Sequence, residues 1–186
     1  MEKNSKKALV NNKIKIPFVD FKRSYQKDKE QIIKVIKHFF ERGQYIQGPE
    51  VYKFENNFAK YLKIKHVVGV NSGTDALFLA LKAKGVGDGD EVVTVANTFT
   101  ATVSAIRMTG AMPIFVDVSE SDLTIDVSKI ESKITSKTKA IIPVHLFGYP
   151  SNMDGIMKIA KKHKLFVVED CCQAHGAEFK GRKVGT

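Results

Sequence analysis

A chain of 186 residues that is 43% hydrophobic and 27% charged carries enough apolar material for a core of single-domain size, which excludes a disordered segment. No run approaches the roughly 20 apolar residues of a membrane span, and the polar start MEKNSKKALVNNK has no apolar signal core behind it, so the sequence reads as a soluble, cytoplasmic protein. The net charge of +10 is carried almost wholly by residues 1–65, with 16 Lys/Arg against 7 Asp/Glu, dispersed as on a solvated helix face and without a nucleic-acid-binding motif.

Residues 1–15 read as a polar tail and 16–65 as a helical segment. After IPFVDF, the residues Ile32, Val35, Ile36, Phe39 and Phe40 recur at three- and four-residue steps up to Gly43, which predicts an amphipathic helix and its stop. The loop GQYIQGP follows. Pro49 then opens a second predicted helix with Val51, Phe54, Phe58 and Leu62 on one side.

From residue 66 the texture changes. Short β-branched runs (HVVGV, EVVTV, MPIFVDV, KAIIPVHLF and LFVVED) alternate with helical stretches around DALFLALKA, ATVSAIRM, VSKIESKI (the weakest of the four) and MDGIMKIAKK. Five strands separated by four helices predict βαβ units and an α/β fold, a mostly parallel sheet with flanking helices over 66–186. Cys171 and Cys172 are adjacent, too close for an ordinary disulfide or a zinc site, and fit a reducing compartment.

Parallel sheets collect ligands beyond the carboxyl ends of their strands. Here those positions are Asn71 to Thr74, Asn97 to Phe99, Asp117, Phe147–Gly148 and Asp170 to Gly176. Ser72, Gly73 and Thr74 form a strand-to-helix turn whose free N–H groups, helix dipole and two hydroxyls suit a phosphate, although a Ser or Thr before a helix also serves simply as an N-cap. The turn has no lysine, unlike a nucleotide P-loop, and GVGDGD at 85–90 lacks the dinucleotide-binding spacing.

Asp170 closes an apolar strand, where a charge needs a cation or several donors; a protonated ring nitrogen would meet that need, and so would a capping role in the next turn. Gln173, three residues on, is placed to reach a substituent of the same ring. Phe99 offers a flat face for stacking or, alternatively, a core side chain. His145 reads as a hydrogen-bonded core histidine, His175 is ambiguous, and neither has a metal-ligand partner at a recognisable spacing, so no metal is assigned.

The ordered series NSGTDAL, GDGDEVVTVANTFTAT, PIFVDV, TKAIIPVHLFGYP and VVEDCCQAHGA, preceded by IPFVD and YIQGPEVYKFE, resembles the DegT/DnrJ/EryC1/StrS aminotransferases, which act on keto sugars carried by nucleotides. The resemblance spans about residues 16–186. It implies part of a fold-type-I large domain binding pyridoxal 5′-phosphate: Ser72, Gly73 and Thr74 on the phosphate, Phe99 stacked on the ring, Asp170 on the pyridine nitrogen and Gln173 on the ring hydroxyl. It also implies glutamate as amino donor and a homodimer whose active sites borrow residues from the partner.

The family's Schiff-base lysine falls beyond Thr186 by this resemblance, and Lys180 and Lys183 sit too early to replace it. Only the downstream sequence separates a transaminase from a family relative with histidine at that position, which dehydrates the sugar. A non-catalytic cofactor-binding or regulatory protein is the rival of a different class. The resemblance further implies that two later strands separate HVVGV from KAIIPVHLF, so the 186-residue chain by itself is expected to be unstable or prone to aggregate.

Overall fold

The computed structural model describes residues 16, 17 and 19–186; the predicted tail at 1–15 lies outside them. Contacts divide the chain into two units, one ending at Glu50 and one beginning at Val51.

The first unit is dominated by helix α1, Phe21–Arg42. Asp20 caps its start, its carboxylate accepting from the Arg23 N–H at 3.0 Å. Gly43 ends it at φ 73°, a left-handed position that glycine tolerates without a Cβ clash, and donates its N–H back to the Phe40 carbonyl. The predicted apolar stripe exists, yet no α1 residue is buried, and Ile32, Val35, Ile36 and Phe40 are all exposed. Arg42 forks onto Glu50 through its two terminal guanidinium nitrogens, and this pairing holds the Glu50 carboxyl down to about 2.

The second unit begins within helix α2, Pro49–Leu62, and continues through α3 (Gly73–Ala83), β1 (Glu91–Val95), α4 (Thr100–Met108), β2 (Met112–Val116), α5 (Val127–Ile130), β3 (Thr138–Ile141), α6 (Met153–His163) and β4 (Phe166–Val167). The four strands form a wholly parallel sheet in the order β2-β1-β3-β4.

Both faces of this sheet are covered, which is why its strands read as continuous apolar runs. Along β1, Val93 and Val95 join Ile141 from β3 and Ile130, Ile156 and Ile159 from α5 and α6 on one face. Val92, Ala140 and Ile142 join Leu81 of α3 and Ile106 of α4 on the other. The two-residue period of a strand therefore distributes one sequence run between two cores.

Two predicted strands come out differently. HVVGV forms no ladder among the described residues, and Val68 and Val70 are exposed. A strand without neighbours has no acceptors for its N–H groups, so apolar pattern alone does not make one.

The KAIIPVHLF run is interrupted at Pro143, which has no N–H to donate. Its carbonyl still accepts from Asp170 N at 2.9 Å, and pairing resumes as a single bridge between Val144 and Asp170. The periodicity also missed a two-stranded hairpin, β5 (Glu178–Phe179) with β6 (Arg182–Lys183). Its turn residues Lys180 and Gly181 both have positive φ, as tight hairpins require.

Candidate active site

The strand order contains one reversal. The chain leaves β1 through α4 on one face of the sheet, and leaves the neighbouring β3 through α6 on the opposite face. Adjacent parallel strands whose exits diverge in this way open a crevice beyond their carboxyl ends. A solvent-open cleft of about 330 Å³ lies there. Its wall contains all six predicted ligand residues: Ser72, Gly73, Thr74, Phe99, Asp170 and Gln173.

The Ser72 turn combines both of its sequence readings. The Ser72 hydroxyl accepts from Asp75 N at 3.1 Å and the Ser72 carbonyl accepts from Ala76 N at 2.9 Å, as in an N-cap. That leaves the N–H groups of Gly73 and Thr74 at the positive end of an 11-residue helix without intrahelical acceptors. The Ser72 hydroxyl proton also remains free to donate. Asp75, in the same turn, is acidic, so dipole and N–H groups, not a cation, supply the attraction for an anion here. Gly73 is needed for packing: a Cβ there would stand 2.8 Å from Cys172 Sγ.

Asp170 is 7% exposed. Oδ2 accepts from the Thr102 hydroxyl at 2.7 Å and Oδ1 from Cys172 N at 3.2 Å. No lysine, arginine or histidine pairs with it among the described residues. Each oxygen keeps a lone pair, and a cationic N–H donor from a ligand matches that unmet demand.

Gln173 is oriented by the backbone of the β3 exit. Phe147 N donates to its Oε1 at 3.1 Å, so the amide presents its –NH₂ as the donor end, the sense a ring oxygen requires. Phe147 itself has φ 54° and ψ 22°, a left-handed backbone that a bulky residue rarely adopts. Phe99 is 70% exposed at the start of α4 and faces the cleft instead of the core. Anion donors, a flat aromatic face, a buried carboxylate and an amide around one crevice fit a phosphorylated aromatic ring with a basic nitrogen.

Other strand-end residues point elsewhere. Asp117 receives Val118 N at 2.9 Å and pairs with Lys129 at 3.5 Å. Asn97 donates to the Leu123 carbonyl. His175 sits against the Phe58 ring, 6.1 Å between centroids. Lys180 is paired with Asp154, while Lys183 is 3.1 Å from Glu178 and lies over the Tyr61 ring at 4.6 Å. Neither lysine enters the cleft.

His145, Glu169 and Cys171 offer ligand atoms within 4.8 Å of one another. Tautomer chemistry argues against a metal there. Ser151 N donates to His145 Nδ1 at 3.0 Å, so the neutral ring carries its proton on Nε2 and uses it on Glu169 Oε2 at 2.9 Å. Burial pushes the Cys171 thiol up to about 12, the Glu169 and Asp170 charges adding to the effect, which disfavours the thiolate a metal would need.

Thr102 is the functional neighbour that strand-end reasoning passes over. A signal was present in the sequence. Thr102 precedes Ala105 and Ile106 by three and four residues, so it falls on the buried face of α4. A hydroxyl on a buried helix face needs an acceptor, and Asp170 is that acceptor.

Residues 26–186 match the model of the DegT/DnrJ/EryC1/StrS aminotransferase family. Over 171 residues the chain is 43% identical to the dTDP-3-amino-3,4,6-trideoxy-alpha-D-glucose transaminase of Streptomyces venezuelae, an alignment covering 92% of this chain and 45% of the relative. The crystal structure of S. venezuelae DesV in complex with a ketimine intermediate superposes with a TM-score of 0.91 at 42% identity, over 94% of this chain and 47% of that one. NtdA from Bacillus subtilis with bound cofactor PMP gives 0.87 at 39% identity, over 92% and 40%. The chain thus spans a little under half the length of these relatives. With the family match running over most of its residues and its sheet superposing on transaminase structures, this chain belongs to the DegT/DnrJ/EryC1/StrS aminotransferase family.

Proposed function

We propose that the intact protein transfers an amino group to a keto sugar carried by a nucleotide, using pyridoxal 5′-phosphate held in the Asp170 cleft. The observation that carries this reading is the convergence, at one topological switch point, of the Ser72–Thr74 turn, Phe99, Asp170 and Gln173. The kinship to sugar transaminases supports the substrate class. Glutamate as amino donor, a homodimeric assembly and a cytoplasmic location belong to the same reading and rest on the family resemblance.

In this reading the N–H groups of Gly73 and Thr74 and the Ser72 hydroxyl bind the phosphate, and Phe99 covers one face of the ring. Asp170 holds a proton on the ring nitrogen through its negative charge, and the Gln173 amide donates to the ring oxygen. When bound, the protonated cofactor ring supplies the electron sink for electrons released as the α-proton of the amino donor leaves. The chain's own contribution is orientation and a fixed charge on the ring nitrogen.

The test uses the intact protein with added pyridoxal 5′-phosphate, glutamate and a nucleotide-linked keto sugar. Release of 2-oxoglutarate in step with formation of an amino sugar is expected. Loss of a sugar hydroxyl without 2-oxoglutarate would identify a dehydratase instead. Cofactor binding with no turnover would identify a binding or regulatory protein, and either result overturns amino transfer.

A further inference from the structure

We propose that Thr102, oriented by Thr98, is a positioning residue that fixes the plane of the Asp170 carboxylate and aims it into the cleft. This inference rests on the reading of the cleft as a pyridoxal-phosphate site.

The argument begins with donor and acceptor counts. An ionised carboxylate only accepts hydrogen bonds, so the 2.7 Å contact from Thr102 Oγ1 to Asp170 Oδ2 spends the Thr102 proton. The Thr102 oxygen can then only accept from its other polar neighbour, Thr98 Oγ1 at 2.8 Å. Proton direction along the row is thereby set, from Thr98 to Thr102 to Asp170. Thr98 stands in the cleft wall, whereas Thr102 is fully buried.

Two donors hold the buried carboxylate: the Thr102 hydroxyl on one oxygen and Cys172 N on the other, the latter longer at 3.2 Å. Bonds to both oxygens also fix the plane of the carboxylate. The Cys172 bond is local, two residues along the chain, whereas the Thr102 bond joins positions 68 apart and ties α4 to the end of the β4 strand. Without the hydroxyl, the carboxylate keeps one longer, local donor and is free to turn about its Cβ–Cγ bond, so its oxygens no longer hold the direction a ring nitrogen requires.

The experiment uses the intact protein in four forms: wild type, Thr102→Val, which keeps shape but removes the hydroxyl, Thr102→Ser, which restores it, and Asp170→Asn. Pyridoxal 5′-phosphate affinity is measured by equilibrium dialysis, and the absorption of the bound cofactor is followed against pH. Thr102→Val is expected to weaken binding about 10-fold, the scale of one hydrogen bond to a charged group, and to displace the pH at which the cofactor spectrum changes. Thr102→Ser is expected to stay close to wild type in both. Should Thr102→Val fail to fold, Thr102→Cys, similar in size and a weak donor, is read in the same way.

Wild-type affinity and spectrum in Thr102→Val, with Asp170→Asn impaired, overturns the positioning role and leaves the cofactor site standing. Equal cofactor behaviour in wild type and Asp170→Asn overturns the cofactor-site reading and the inference together.

Discussion

Ser151 donates its backbone N–H to Nδ1 of His145 at 3.0 Å, and this one bond decides which nitrogen of a fully buried imidazole carries the proton. The proton on Nε2 is then directed at Glu169, whose Oε2 also accepts from Gly185 N at 2.8 Å. The ring therefore ties the β3 exit, the end of the β4 strand and the segment after β6. It is the hydrogen-bonded core histidine that the sequence suggests.

Removing that ring leaves the Ser151 N–H and a largely buried carboxylate short of partners, and opens a cavity. In the intact protein, His145→Ala is expected to destabilise the fold by about 3 kcal/mol, combining an unsatisfied buried group with lost packing. Thermal and urea unfolding measure this. Zinc added to the wild type is expected to leave the melting temperature unchanged, and a zinc-dependent rise would refute the tautomer assignment.

The Gly73 prediction concerns the phosphate turn. A Cβ at this position would meet Cys172 Sγ at 2.8 Å, so the Cys172 side chain, the turn or the 170–173 loop must shift. Gly73→Ala is expected to weaken pyridoxal 5′-phosphate binding about 10-fold, on the scale of one or two misplaced donors. The double variant Gly73→Ala/Cys172→Gly removes the clash and is expected to recover most of the loss. Strict additivity of the two single effects would show that the contact is not the cause.

Both cysteines are expected to be sluggish nucleophiles in the folded protein. Burial, with the Glu169 and Asp170 charges behind it, raises Cys171 to about 12; burial and the Asp170 carboxylate raise Cys172 to about 11. At pH 7.5 alkylation is expected to run roughly 100-fold or more below that of a free thiol, because the thiolate is the reacting species. The rate at Cys172 is expected to rise before that at Cys171 as pH increases. Mass spectrometry of iodoacetamide-treated protein reads out both sites, and fast labelling of either at neutral pH would contradict this.

The Arg42–Glu50 pair makes a pH prediction for the first unit. Glu50 sits at about 2, below its ordinary 4.5, chiefly because Arg42 hydrogen-bonds the ionised form. A carboxyl depressed on folding contributes stability that is fully present above its unfolded value and is lost as pH falls from about 4.5 toward 2. NMR titration of the Glu50 carboxyl is expected to show a midpoint near 2 in the wild type. In Arg42→Gln the midpoint is expected to return toward 4.5, and an unchanged midpoint would exclude Arg42 as the cause.

How much of this was legible without coordinates depends on the range of the interaction involved. Gly43, Pro49 and Ser72 mark helix ends through local features spanning a few residues, so local sequence was enough to read them, whereas the Asp20 cap came from the structure. The apolar runs EVVTV and KAIIPVHLF announced strands buried on both faces, because a two-residue period serves two cores at once. The phenylalanine at 99 and the Asp170/Gln173 pair were readable because βαβ topology sends strand ends to one edge of the sheet, and the Ser72 turn because it opens a helix.

Other features needed the tertiary structure. HVVGV has the composition of a strand but no ladder among the described residues, since a strand depends on neighbours that a local pattern cannot supply. The Thr102 hydroxyl meets Asp170 across 68 residues of chain, and Gln173 has its amide turned by the Phe147 backbone 26 residues away. The sequence by itself determined which residue types stand at the sheet's carboxyl edge. Only folding decided the direction of each hydrogen bond there, because donors and acceptors from separate elements must be brought within about 3 Å before one can assign the proton.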